Sequence, residues 1–156
     1  MMTAILRQAQ QNDADALTRL AKKGKAHWPY PTHWLAAWDE ALTLRPEQIA
    51  ANYFVLERQV DVGSEIIAFT GLETFEGRWY IEHCWVDPAY HGGGHGKRLV
   101  QHALMVATSM GLKVVWVESD PNAQAFYEKL GAVLDHWADR PVCGEARQLP
   151  VLRFQL

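Results

Sequence analysis

Hydrophobic residues recur with two different periods along this chain, and each period predicts a different kind of element. Short apolar runs rich in β-branched and aromatic residues, bounded by Gly, Pro, Asn or Asp, predict strands. Segments with apolar positions three and four residues apart, bounded by capping residues, predict helices. The predicted strands cover residues 3–7, 52–59, 66–75, 79–86, 114–117, 133–137 and 149–156. The predicted helices cover residues 12–24, 32–44, 96–110 and 122–130.

The order of these elements predicts an α/β fold. One strand and two helices are followed by three strands, a helix, a strand, a helix and two closing strands, which favours one mixed sheet with helices on both faces. Residues 138–148 are predicted to form a long loop without regular structure. At 156 residues, we expect one domain over residues 1–156. A chain of that length buries about two-thirds of its surface on folding.

Composition narrows the function classes. The net charge of −3 does not favour binding to a nucleic acid. The sequence has neither a signal peptide nor an apolar stretch of about 18 residues, so we predict no membrane association. Cys84 lies in a predicted strand and Cys143 in a loop, so the cysteines suggest no disulfide framework. That usage fits a reducing, cytoplasmic location.

A glycine-dense turn follows the fourth predicted strand and leads into a helix. It reads His91-Gly92-Gly93-Gly94-His95-Gly96-Lys97-Arg98. Glycine permits positive φ and close approach of a ligand, and the N–H groups of the helix's first turn add the positive end of the dipole. The turn is therefore predicted to bind an anion such as phosphate.

The spacing of the glycines excludes two common phosphate loops. A Walker loop would need Gly at position 91 and Ser or Thr at position 98, where His91 and Arg98 stand. No glycine triplet has the Gly-x-Gly-x-x-Gly spacing of dinucleotide folds. An ATP-binding function is thus disfavoured, and the pattern that fits is x-x-x-Gly-x-Gly over residues 91–96.

A second motif lies about thirty residues further on. The segment 122–132 reads Asn-Ala-Gln-Ala-Phe-Tyr-Glu-Lys-Leu-Gly-Ala and is predicted to be a helix ended by Gly131. Phe126 and Tyr127 could be core aromatics of an amphipathic helix. Together with the glycine turn, however, this segment resembles the GNAT superfamily of acyl-CoA-dependent N-acyltransferases.

The resemblance covers nearly the whole chain by element order and residues 80–132 by motif. In the family the turn usually begins with Gln or Arg, so His91 departs from the pattern, whereas Gly94 and Gly96 occupy its two small positions. The resemblance implies a mixed, mostly antiparallel sheet of about seven strands, and acetyl-CoA as co-substrate. The residues that it assigns to coenzyme A are Cys84, Trp85, Val86, His91, Gly92, Gly93, Gly94, His95, Gly96, Lys97, Asn122 and Tyr127.

The resemblance also suggests catalytic roles. Tyr127 is the candidate acid for the departing thiolate, because a thiol pKa near 8.5 makes protonation useful. Glu82 and Glu118 are the candidate bases, with Glu82 preferred and His83 as a third choice. Each glutamate could instead be a solvated or ion-paired surface residue. Period-two alternation predicts Tyr80, Glu82, Cys84 and Val86 on one face, and Trp79, Ile81, His83 and Trp85 on the other.

The acceptor is expected to be a small-molecule primary amine. By resemblance, the acceptor pocket is expected around the aromatic residues and neighbouring carboxylates of one region, which are Trp28, Tyr30, Trp34, Trp38, Asp39 and Glu40, with Glu82 as a further substrate contact. Aromatic faces and carboxylates favour a cationic amine. These residues could equally pack the two helices together. The alternative function is a non-catalytic acyl-CoA-binding or sensing module on the same fold.

The sequence predicts no metal site. His83, His91, His95, His102 and Cys84 are not arranged in any spacing typical of a zinc site. Pairing of sheet edges could form a homodimer, although nothing in the sequence requires it.

Overall fold

The computed structural model describes residues 3–49 and 51–156. Within them, seven strands form one sheet in the order β1-β2-β3-β4-β5-β7-β6. All neighbouring strands are antiparallel except β4 and β5, which are parallel. The predicted mixed, mostly antiparallel sheet is confirmed. The strands are β1 Ala4–Gln8, β2 Tyr53–Gln59, β3 Ser64–Phe75, β4 Arg78–Val86, β5 Val114–Glu118, β6 Val133–Asp139 and β7 Gln148–Gln155.

Helices cover both faces of the sheet, as predicted. They are α1 Ala14–Ala26, α2 Thr32–Ala37, α3 His95–Ser109 and α4 Gln124–Lys129, with short 3-10 turns at Gln11–Asp13, Pro46–Gln48, Pro88–Tyr90 and Pro121–Ala123. On one face, Leu17 and Ala21 of α1 pack with Val55 and Phe69. On the other face, Val100 of α3 and Tyr127 of α4 belong to a second core. Among the described residues, no helix is both long and apolar enough to cross a bilayer.

The first two helices end at other residues than predicted, because contacts with other elements determine where they end. α1 continues to Ala26, because Gly24 does not end the helix but makes room for Trp85: a Cβ there would lie 2.6 Å from the indole Cε3. α2 ends at Ala37 instead of Leu44. Residues 38–44 turn, which buries Leu44 beside α1, where the hydroxyl of Thr18 accepts the Leu44 N–H at 2.9 Å.

The connection between the last two strands is more regular than predicted. β6 extends to Asp139 and β7 begins at Gln148, so much of the expected loop 138–148 belongs to a hairpin. The Arg140 N–H donates to the Arg147 carbonyl at 2.7 Å, and Val142 forms a β-bridge with Glu145. These hydrogen bonds continue the strand pairing, so the prediction of a long loop without regular structure over residues 138–148 is wrong.

A β-bulge in β4 reverses the predicted alternation of its side chains. Ile81 is opposite Leu72 and His83 is opposite Gly71, which leaves Glu82 as the extra residue. One extra residue moves every later side chain to the other face. Cys84 therefore packs in the α3 core together with Ile81. His83 instead contacts the ring of Phe69 on the α1 face, so the predicted grouping of Ile81 with His83 and of Glu82 with Cys84 is wrong.

Candidate active site

The parallel strands β4 and β5 separate soon after they meet. Within the described residues they are in register at one pair, Tyr80 and Trp116. Beyond it, a cavity of 690 Å³ is lined by residues 81–86 of β4 and by the end of β5. Of the predicted site residues, those that line it are Trp28, Glu82, Cys84, Trp85, Val86, His91, Gly92, Gly94, His95, Gly96, Lys97, Glu118, Asn122 and Tyr127. Gly93, Tyr30 and Trp34 do not line it.

The glycine turn presents unpaired backbone donors to one end of this cavity. Gly92 and Gly94 have φ values of +83° and +79°, which side chains with a Cβ rarely adopt. Gly94 is the N-cap of α3 and provides no capping side chain. Among the described residues, the N–H groups of 92–97 have no acceptor, and the first helical bond runs from the Arg98 N–H to the Gly94 carbonyl at 3.1 Å. Six free donors at a helix N-terminus fit a diphosphate.

Gly96 contributes to the same turn through close packing. A Cβ at Gly96 would lie 3.1 Å from Cζ of Phe126 and 3.6 Å from Cγ2 of Val86. The absence of a side chain lets the start of α3 approach both α4 and the end of β4. Lys97 on the turn and Lys129 on α4 also line the cavity and add positive charge. Lys129 was not among the predicted site residues, because a lysine in the last turn of a helix is an ordinary feature.

His91 is folded back against the end of β4. A ring nitrogen lies 3.2 Å from the Val86 carbonyl oxygen, and the ring meets that of His27 edge-on at a centroid distance of 5.0 Å. The residue that departs from the family pattern therefore contacts the strand predicted to pair with the cofactor arm. A carbonyl oxygen has two lone pairs, so one lone pair of Val86 remains for a second donor.

Tyr127 lies at the floor of the cavity beside Cys84. Tyr127 is 6% exposed. Burial, with a further contribution from Cys84, raises the pKa of the Tyr127 phenol well above its usual value. Burial also raises the pKa of the Cys84 thiol to about 12. Both groups keep their protons at neutral pH, so the Tyr127 phenol can donate a hydrogen bond into the cavity and Cys84 is not a thiolate nucleophile.

The two candidate bases differ in their charge partners. A terminal guanidinium nitrogen of Arg140 lies 2.7 Å from the Glu118 carboxylate. Glu82 has no ion pair among the described residues, and its side chain is open to the cavity. Burial, together with the charges of Glu73 and Glu118, raises the pKa of Glu82. A carboxyl with a raised pKa is better suited to accept a proton from an ammonium than an ion-paired one.

His83 is poorly suited to act as the base. Its Nδ1 lies 3.1 Å from the indole nitrogen of Trp85, and an indole can only donate, so Nδ1 carries the lone pair and Nε2 the proton. Burial lowers the pKa of His83 to about 4. At neutral pH its remaining nitrogen is therefore a donor.

The aromatic residues of the α1–α2 region lie close together, but cationic side chains of the protein itself lie over their rings. Lys25 Nζ lies 4.3 Å from the centre of the Trp38 ring, and Arg147 lies 4.8 Å from the same ring. Arg147 also packs over Tyr30 and Trp34. Tyr30 and Trp34, which were predicted to hold a substrate cation, thus lie outside the cavity lining and beside the cation of Arg147. Trp28 and Trp38 line the cavity.

A partly buried polar cluster joins these cations to the α4 motif. Asp120 accepts hydrogen bonds from Lys25 at 2.6 Å and from the Tyr30 hydroxyl at 2.7 Å. It also caps the turn before α4 by accepting the Asn122 N–H at 2.8 Å. The Asn122 amide nitrogen donates to Tyr30 and Asp120, which leaves its carbonyl oxygen available in the cavity. Sequence reasoning missed Lys25, Asp120 and Arg147, because no local pattern links residues so far apart in the chain.

Among the residues that the structure describes, no group of three or more His, Cys, Asp or Glu side chains is placed to hold a metal ion.

This chain is similar in sequence to known acetyltransferases. A family model described as the acetyltransferase (GNAT) family matches residues 2–132. Glucosamine 6-phosphate N-acetyltransferase of Trypanosoma brucei brucei is 40% identical over 52 residues, which are 33% of this chain and 35% of that relative. The match therefore spans about a third of the length of the curated relative.

Solved structures with the same fold are more distant in sequence. A GCN5-related N-acetyltransferase of Rhodopseudomonas palustris superposes with a TM-score of 0.81 at 18% identity, covering 100% of this chain and 98% of that one. The PaiA N-acetyltransferase of Thermoplasma acidophilum, solved with coenzyme A, has a TM-score of 0.72 at 16% identity, covering 99% and 100%. The acetyltransferase yncA of Salmonella typhimurium, solved with acetyl-CoA, has a TM-score of 0.67 at 19% identity, covering 99% and 94%.

Proposed function

Because the chain belongs to the acetyltransferase (GNAT) family, we propose that it transfers the acetyl group of acetyl-CoA to the nitrogen of a small primary amine. The observation that carries the proposal is the set of free N–H groups at residues 92–97, in a turn whose residues other than Gly93 line the cavity between β4 and β5. The coenzyme A in the solved relatives named above supports acetyl-CoA as the donor.

The cofactor would lie along one wall of the cavity. The N–H groups of 92–97 would hold the diphosphate, with Lys97 adding charge. The edge of β4 from Cys84 to Val86 has no β5 partner among the described residues, so the pantetheine amides could pair there like an additional strand. The Asn122 carbonyl oxygen would accept from the same arm.

The thioester supplies an acyl carbon that an unprotonated amine can attack, with the carbon–nitrogen bond forming as the carbon–sulfur bond breaks. Glu82 takes one proton from the incoming ammonium, directly or through water, and releases it to solvent. Tyr127 gives its proton to the departing sulfur and regains one from the nitrogen as the amide forms. The chain is thereby returned to its starting protonation state. Proton transfers of this kind contribute about 10²–10⁴ in rate.

Thiol release is the direct test. The purified protein is incubated with acetyl-CoA and a panel of primary amines, and free thiol and acetylated amine are both quantified. We expect equal amounts of the two products, and none without protein or without amine. Tight binding of acetyl-CoA without any amine-dependent thiol would instead indicate an acyl-CoA-binding module. Absence of both binding and turnover would exclude both functions.

A further inference from the structure

Arg147 is a nearly buried cation on the wall of the candidate active-site cavity. It stands just before β7, lines the cavity, and has a side chain that is only 10% exposed. Removing a guanidinium from water costs free energy, which proteins offset by pairing the charge with an anion and by giving its N–H groups acceptors. A buried arginine on a cavity wall therefore needs acceptors from the chain or from a ligand.

The chain supplies few acceptors to Arg147. Within the described residues its guanidinium makes one hydrogen bond, from Nη2 to the Tyr30 hydroxyl at 3.1 Å. The Asp120 carboxylate lies 3.7 Å from Nη2, which is beyond hydrogen-bond distance. Nη2 carries a second hydrogen, which forms a parallel pair with the neighbouring N–H of Nε or Nη1. Such a pair is the fork that binds two oxygens of one carboxylate or phosphate.

Asp120 does not compensate Arg147, because other donors occupy its oxygens. Oδ2 accepts from Lys25 at 2.6 Å and from the Tyr30 hydroxyl at 2.7 Å. Oδ1 accepts from the Asn122 main-chain N–H at 2.8 Å and from the Asn122 amide at 2.9 Å. A carboxylate has about four acceptor positions, so all of them are used. Two cations thus share one carboxylate, which leaves one positive charge uncompensated in the cluster.

The other charges of the cavity do not balance this excess. Glu118 is paired with Arg140 at 2.7 Å, and Glu82 forms no ion pair with Lys25 or Arg147. Burial lowers the pKa of Lys25, and the charge of Arg147 acts in the same direction, against the effect of Asp120. The two cations are therefore close enough to repel each other, and an added anion would relieve that repulsion.

The surroundings of Arg147 hold the guanidinium in place without satisfying it. It lies 4.8 Å from the ring centre of Trp38, 5.3 Å from that of Tyr30 and 5.8 Å from that of Trp34. Aromatic rings stack on a guanidinium and restrict its motion, whereas an indole N–H can only donate. Because the diphosphate of coenzyme A is expected at residues 92–97, an anion at Arg147 would belong to the acceptor.

We propose that the acceptor is an amine that also carries an oxyanion, as an amino acid does, and that Arg147 binds this oxyanion while the amine reaches Glu82. The reacting end of this assignment rests on the proposed acetyl transfer. The anion site rests on Arg147 and its neighbours alone. Carboxylate and phosphate both present the pair of oxygens that a guanidinium binds, so the preferred acceptor identifies which of the two the site takes.

The kinetic test uses three pairs of amines that differ in the oxyanion: leucine and isoamylamine, phenylalanine and phenethylamine, and phosphoethanolamine and ethanolamine. We expect the wild-type kcat/KM to favour the anionic member of at least one pair by about tenfold or more, since a hydrogen bond to a charged group has about that effect. The oxyanion also alters the pKa of the amine. The decisive quantity is therefore the change in this preference between wild type and variant.

Arg147→Gln keeps a polar side chain and removes the charge, so it should abolish most of the preference. Arg147→Lys keeps the charge without the fork and should retain part of it. Arg153→Gln is the control, because Arg153 pairs with Asp135 on β6 and does not line the cavity, and it should keep the full preference. Thermal unfolding checks that each variant folds. A preference that is absent from wild type, or that is equal in wild type and both Arg147 variants, would overturn the anion site.

A binding measurement separates the anion site from the acetyl transfer. Isocaproate, which is leucine without its amine, and inorganic phosphate are each titrated calorimetrically into the full chain with coenzyme A present. We expect one of them to bind, with an affinity that falls about tenfold in Arg147→Gln and falls with added salt. If no amine releases thiol but this dependence holds, the acetyl transfer is wrong and the anion site stands.

The affinity for coenzyme A itself decides whether the anion belongs to the acceptor. We expect it to change by less than about twofold in Arg147→Gln, since the diphosphate is held elsewhere. A tenfold loss of coenzyme A affinity would assign Arg147 to the cofactor and overturn the proposal. Equal affinity of wild type and Arg147→Gln for both isocaproate and phosphate would also overturn it, whatever the turnover.

Discussion

Arg140 holds the carboxylate of Glu118 at 2.7 Å, so one of the two glutamates predicted as bases is already paired with a cation. Glu82, on the neighbouring strand, lacks such a partner among the described residues and has a raised pKa. The two residues lie on the parallel pair that opens to form the cavity. Their difference in pairing gives a matched test of which one accepts the proton.

Replacing Glu82 with Gln should lower kcat by about 10²-fold or more, because the amine then loses its proton without a positioned base. Glu118→Gln should change kcat by no more than about threefold. Steady-state kinetics at saturating amine, with coenzyme A affinity measured by calorimetry, separate a defect in turnover from one in binding. The low-pH limb of the wild-type kcat profile should lie above the ordinary glutamate pKa of 4.5 and disappear in Glu82→Gln. An unchanged profile would remove Glu82 from the mechanism.

The same substitution should have the opposite effect on stability. A carboxyl whose folded-state pKa is raised is stabilising in its protonated form, and that contribution is lost as pH rises through the folded pKa. Wild type should therefore lose stability relative to Glu82→Gln as pH rises above the ordinary glutamate pKa, and the two should converge at lower pH. Thermal unfolding of both proteins between about pH 4 and pH 8 measures this difference in stability. A variant that is less stable than wild type at neutral pH would contradict the proposed environment of Glu82.

The Glu82 environment shows where sequence reasoning succeeded and where it ended. The order of strands and helices and the glycine turn followed from local periodicity and from glycine chemistry, and the structure bears both out. The bulge in β4 could not be predicted from the sequence, because residues 78–86 contain no Gly or Pro that would mark an extra residue. It arises where the Tyr53 ring lies against Gly71 of the adjacent strand, a contact between separate elements.

Local sequence patterns could not predict the polar cluster at Asp120 for a similar reason. Lys25 and Arg147 reach Asp120 from α1 and from the β6–β7 connection. Each is an ordinary charged residue in its own segment. Only the folded chain shows that they cover the aromatic faces from which a cationic acceptor site had been predicted. The rings of Tyr30 and Trp34 stack at a centroid distance of 6.0 Å, and Arg147 lies over both, a contact that no pattern within one segment could predict.

Tyr127→Phe tests the acid. The phenol keeps its proton at neutral pH, because burial raises its pKa, so its loss should slow protonation of the departing sulfur. We expect kcat to fall by about 10²-fold, with coenzyme A affinity changed by less than about twofold. Far-UV circular dichroism and thermal unfolding should confirm that the buried ring still packs. A variant with wild-type kcat would return Tyr127 to a purely structural role in the core.

Gly94→Ala tests the backbone cradle against backbone strain alone. Gly94 and Gly77 have φ values of +79° and +78°, and a Cβ at either position would meet no atom within 4 Å. Alanine at positive φ should therefore cost each variant a similar 1–2 kcal/mol or so of stability. Only Gly94→Ala should also weaken coenzyme A, by about tenfold or more, because it disturbs the N-cap of α3. Equal losses of affinity in the two variants would show that strain, and not the cradle, is responsible.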